Sequence, residues 1–84
     1  AFTGSLGNKT QSVACGYSTA TTYYHDGAGA YPTIGDFVYT DSALTTPVAK
    51  NHYKLLSGGT IQTTDDGGFP ASPTGEVIAT GICL

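Results

Sequence analysis

His52-Tyr53-Lys54-Leu55-Leu56-Ser57-Gly58-Gly59-Thr60-Ile61-Gln62-Thr63 is the stretch that decides the fold. A run of aromatic and apolar residues breaks at Ser-Gly-Gly and resumes as alternating Thr-Ile-Gln-Thr. Alternation suits a strand with one buried face, and the glycines supply the backbone freedom of a tight turn, so 52–63 reads as a β-hairpin. Working outward, Glu76-Val77-Ile78-Ala79-Thr80-Gly81-Ile82-Cys83 reads as a last strand. Upstream, Asp36-Phe37-Val38-Tyr39-Thr40 reads as another, and so does Thr21-Thr22-Tyr23-Tyr24-His25, which ends at the turn dipeptide Asp26-Gly27. Gln11-Ser12-Val13-Ala14-Cys15 reads as a first short strand closed by Gly16. The segments between them, 28–35, 41–47 and 65–75, carry the Gly, Pro, Asp and Ser of loops. Asp41-Ser42 is suited to start a turn or a single helical turn, because both side chains accept bonds from nearby N–H groups. Pro47 ends whatever forms there.

Six short strands predict an all-β domain, a small antiparallel sandwich or meander. Residues 1–12, rich in Gly, Ser and Thr, read as a flexible N-terminal arm or linker, and 13–84 as a single β domain. Composition agrees. The 84 residues include fourteen Thr, twelve Gly and six Tyr but no Arg or Met; Thr and Tyr fit strands, and good helix formers are scarce. With no Met, the chain reads as a mature product or as a piece of a longer polypeptide.

The formal charge is −3, with three scattered Lys. Phosphate backbones need a basic footprint, so nucleic acid is not an expected partner. No apolar run approaches the roughly 20 residues that span a bilayer, so no membrane span is expected. A surface poor in charge and rich in Thr, Ser and Gly points to an extracellular setting: secreted, cell-surface or virion-borne.

Cys15 and Cys83 are the two cysteines. Free buried thiols, or a metal site completed by His25 and His52, are the alternatives to a disulfide, but no metal-ligand spacing supports the second. In this composition a single disulfide is the expectation, closing a long loop worth roughly 4 kcal/mol.

Tyr23-Tyr24-His25-Asp26-Gly27 and Val38-Tyr39-Thr40-Asp41-Ser42 echo one another. The expectation is two strand-to-turn exits built alike, with Asp bonding the turn backbone; a shared ligand contact is the alternative.

The run Gly35-Asp36-Phe37-Val38-Tyr39-Thr40-Asp41-Ser42-Ala43-Leu44-Thr45-Thr46-Pro47-Val48, followed by Tyr53-Lys54-Leu55, Gly59-Thr60-Ile61-Gln62, Gly75-Glu76-Val77-Ile78 and Ile82-Cys83, resembles a small module of large surface, adhesin and phage-tail-like proteins of Bacteroidetes-type bacteria and their viruses. Tyr39 to Pro47 is its most distinctive part. The resemblance covers roughly residues 13–83 and implies an exported or virion-borne structural unit with no catalytic residues to carry over.

Chemistry finds little foothold. No catalytic residue, cofactor or metal is expected: Ser, His and Asp occur without a nucleophile elbow, and the Gly-rich segments lack phosphate-binding spacing. Asp65-Asp66 lacks the ligand ladder of a calcium loop and reads as turn solvation, with partner contact or weak Ca²⁺ binding as the alternative. Tyr17 and Tyr31, in loops beside Gly16 and Pro32, are candidates for stacking on a sugar or partner, whereas Tyr23, Tyr39 and Tyr53 are expected to pack within the fold. Lys50, Asn51 and His52 read as a solvated bend. Asn8-Lys9-Thr10 is a glycosylation sequon. The first functional expectation is a structural module contacting identical or related subunits, with residues 1–12 adding a strand to a neighbour. The second is recognition of a glycan or host receptor through loops 16–20, 27–35 and 64–75, and the third a secreted enzyme inhibitor.

Overall fold

The computed structural model describes residues 1–83; Leu84, the last residue of the expected β domain, lies outside them. Six strands and one short helix follow in the order β1 (Phe2–Gly4), α1 (Gln11–Ala14), β2 (Thr21–His25), β3 (Val38–Tyr39), β4 (His52–Lys54), β5 (Gly59–Asp65) and β6 (Pro73–Ile82). They form two three-stranded antiparallel sheets, β1-β2-β3 and β4-β5-β6. The expected hairpin at 52–63 forms, with His52 opposite Gln62 and Tyr53 opposite Ile61.

The two sheets share edges as well as a core. On one side, bridges Gly4–Leu55 and Asn8–His52 join the N-terminal segment to the outer edge of β4. On the other, Phe37 bridges to Glu76, and the Gly35 N–H and the Asp36 carbonyl bond to the backbone of Val77, each at 2.9 Å. The strands therefore succeed one another around a closed circuit, which leaves few unpaired edges.

One cluster fills the interior. Phe2, Tyr23 and Val38 come from the first sheet, Tyr53, Leu55, Ile61 and Val77 from the second sheet and its turn, and Val48 from the intervening loop. Removing each such side chain from water stabilises by about 1.5–3 kcal/mol. Phe2 stacks on Tyr23 with ring centroids 5.7 Å apart, and Tyr23 meets the edge of Tyr53 at 5.6 Å. Both phenols spend their hydroxyls inside the fold: Tyr23 donates to the Ser5 carbonyl at 2.7 Å and Tyr53 to the Ala49 carbonyl at 2.6 Å. Burial pushes the Tyr53 phenol up to about 12 and raises that of Tyr23.

The expected loop 65–75 is shorter than read, since β5 runs to Asp65 and β6 starts at Pro73, its pairing partner. Two expectations for the start of the chain fail. Residues 1–12 are not a flexible arm: Phe2–Gly4 pairs with Thr21–Tyr23, Phe2 lies in the core, and Ser5 is 0% exposed. Gln11–Ala14 is a helical turn and not a strand, with Ala14 N–H on the Thr10 carbonyl and Cys15 N–H on that of Gln11. Its backbone bonds close locally because the adjacent edge of β4 is already taken by Ser5 and Asn8.

The distinctive 39–47 stretch is a closed loop. Tyr39 bridges to Pro47, Thr40 N–H bonds the Thr46 carbonyl, and Val48 N–H bonds the Val38 carbonyl. Asp41 caps it, accepting from the backbone N–H groups of Thr45 and Thr46 and from the Thr45 hydroxyl. The echoing Asp26 accepts from Phe37 N–H at 2.7 Å, and Tyr24 stands directly opposite Tyr39. The two echoing segments are thus paired neighbours; Asp41 bonds its own turn backbone as expected, whereas Asp26 reaches across to Phe37 and the Gly27 N–H goes to His25 instead.

Candidate functional site

Cys15, just past α1, and Cys83, just past β6, are joined by a disulfide with Cα atoms 5.6 Å apart. Their sulfurs are spent on each other, which removes the Cys/His metal reading. His25 accepts from Gly27 N–H through Nδ1 at 3.0 Å and rests near the Phe2 ring, while His52 stands on the opposite sheet. Among the described residues, no group of three or more His, Cys, Asp and Glu gathers to hold a metal, and no helix is long and apolar enough to cross a membrane.

The two candidate stacking tyrosines are engaged within the chain, at separate places. Tyr17 is half-buried, and its hydroxyl accepts from the Asn8 side-chain amide at 3.0 Å. Tyr31 is half-buried edge-on against Phe2, with centroids 6.0 Å apart. Neither stands out as a free aromatic platform. The sequon asparagine is occupied at both ends of its amide, because Asn8 Oδ1 also accepts from Thr10 N–H at 2.9 Å.

Asp65 and Asp66 shape the connection between β5 and β6. Asp65 Oδ1 accepts from Gly67 N–H at 3.0 Å, and its Oδ2 lies 3.9 Å from Lys50 Nζ. Asp66 Oδ1 accepts from Gly68 and Ser72 N–H groups, and Asp66 N–H returns a bond to the Ser72 carbonyl at 2.9 Å. The N–H groups of Ser72 and Gly68 hold the Asp66 carboxyl below its ordinary range. Both acids therefore serve the turn, and Asp66 ties the neck of a loop at whose tip Phe69 is fully exposed.

Two hollows among the described residues bear on function. One, of about 350 Å³, lies beside the disulfide and is lined by Gln11, Ser12, Cys15 and Ile82. The other, of about 70 Å³, lies between the N-terminal segment and the β4–β5 hairpin and is lined by Lys9, Lys50, Asn51, His52, Gln62 and Thr63. Neither is legible in the sequence, because their linings come from segments distant in the chain, and Phe69 lies among residues that read as a loop. No protein-family model, curated protein or solved structure matches the chain.

Proposed function

We propose that this chain is a non-catalytic structural module of an extracellular or virion-borne assembly, acting through contacts with identical or related subunits. The observation that carries this reading is the placement of apolar surface at the two ends of β6. Ten residues of strand at about 3.3 Å each reach roughly 30 Å, so the two ends of β6 stand far apart. At one end stands the exposed ring of Phe69 on its tied loop, and at the other the hollow flanked by the disulfide and the exposed Ile82. A knob near one end of β6 and a hollow near the other suit a head-to-tail contact between copies, which propagates into a filament or closes into a ring.

Strand addition by residues 1–12 is no part of this proposal, since those residues complete the chain's own circuit. The disulfide and the low charge fit an oxidising, extracytoplasmic setting. The resemblance of the 35–48 run to surface and tail-like modules points the same way. Glycan recognition loses support because Tyr17 and Tyr31 are both engaged.

Sedimentation velocity across a concentration series, with negative-stain imaging, tests the reading. Concentration-dependent association is expected, and Phe69→Ser should weaken it at least tenfold without altering the fold. A monomer at every concentration, or unchanged association in Phe69→Ser, would refute it.

A further inference from the structure

We propose that the hollow between the N-terminal segment and the β4–β5 hairpin binds a single small oxyanion: a sulfate, a phosphate or a carboxylate group. The chain holds only three Lys and no Arg, and its formal charge is −3, yet two of the three Lys line this one cleft. That concentration of positive charge opposes the field of the rest of the molecule and favours an anion locally.

The fold places the donors. His52 and Gln62 are direct cross-strand partners, so their side chains share a face. The Asn8–His52 bridge sets Lys9 at the rim of that face. On the other side, the bend carrying Lys50 and Asn51 is fastened to β5 from both flanks. The buried Thr63 hydroxyl donates to the Ala49 carbonyl at 2.8 Å, and Thr63 N–H bonds the Asn51 carbonyl at 2.9 Å. Two lysines, an asparagine, a glutamine and a histidine thus border one concavity.

The Lys50 ammonium is only loosely held. Its side chain is 58% exposed, its distance to Asp65 Oδ2 is 3.9 Å, and Asp65 Oδ1 is committed to Gly67. The Asp65 side chain is only 20% exposed, but a pair this long, with its ammonium in solvent, contributes little, so an incoming anion competes for Lys50. Lys9 and Gln62 make no side-chain hydrogen bond among the described residues. The volume of about 70 Å³ falls well short of the several hundred Å³ of a drug-sized pocket, which limits the ligand to one acidic group.

Titration with sodium sulfate, sodium phosphate and sodium acetate, each against sodium chloride at matched ionic strength, tests the site by heteronuclear NMR. Saturable shifts confined to Lys9, Lys50, Asn51, His52, Gln62 and Thr63 are expected with at least one oxyanion. Tighter sulfate or phosphate assigns a tetrahedral group, and tighter acetate a carboxylate. The double variant Lys9→Gln/Lys50→Gln should weaken binding at least tenfold, while Lys54→Gln, outside the cleft, leaves it unchanged. Shifts that follow ionic strength alike in chloride, or equal losses in the two variants, would overturn the proposal.

Discussion

The two seams that close the circuit of strands are built differently. The first joins residues 3–8 to the outer edge of β4, where Ser5 N–H reaches the Lys54 carbonyl at 2.8 Å and Asn8 and His52 exchange bonds at 3.0 and 2.7 Å. It is fastened by backbone, by the buried Ser5 hydroxyl, and by Phe2 anchoring its start in the core. The second joins residues 35–37 to Glu76 and Val77, where Gly75 lets the chains come close. Gly75 is buried at φ 74°, and a Cβ there would run into the Val38 carbonyl oxygen. The first seam depends on what side chains add, the second on what a side chain would obstruct.

Substitutions separate the two. Phe2→Ala, at the root of the first seam, should produce the largest loss, about 3–5 kcal/mol in chemical denaturation. A loss under 1 kcal/mol would mean that the start of the chain is dispensable. Gly75→Ala should lose about 2–5 kcal/mol through unfavourable backbone conformation and overpacking. Ser5→Ala comes next, at about 1–3 kcal/mol, because it strands the Lys54 N–H that Ser5 Oγ accepts at 2.9 Å.

Acid has the smallest effect. Asp41 is held below its ordinary value of 3.8 by the Thr45 hydroxyl and the Thr46 N–H, and Asp66 by the N–H groups of Ser72 and Gly68. A depressed folded pKa contributes stability that is present above the unfolded value and lost as pH falls through the folded one. Stability should therefore decline modestly below about pH 4, and Asp41→Asn with Asp66→Asn should flatten that decline in a pH series of thermal melts.

The same contrast explains what the sequence made legible. The hairpin at 52–63, the strands at 21–25 and 76–82, and the disulfide were readable because patterning, glycines and cysteine context speak locally. The Asp41 cap was readable because an Asx turn is a short-range device. The first seam was not. Ala1-Phe2-Thr3-Gly4-Ser5-Leu6-Gly7 has the composition of a linker, and only its long-range partners, Tyr23 and Leu55, make it structural. Gln11–Ala14 is illegible for a related reason, since Val13 favours a strand only where an open edge is available to pair with. Tyr31 reads as an exposed loop residue for the same reason, because its neighbour Phe2 lies 29 positions away in the chain. The cleft holding Lys9 and Lys50 was illegible because those residues lie far apart in the chain and meet only through the bridge of Asn8 to His52.

Native-state hydrogen exchange at the Ser5, Asn8, His52 and Lys54 amides bears most directly on whether the leading residues are an integral wall of the molecule. Their protection should match that of Ile61 and Val77 in the central strands, opening only with global unfolding. Exchange as fast as at Ala28 and Gly29 in the loop would contradict the closed circuit and return the segment to the status of a loose tether.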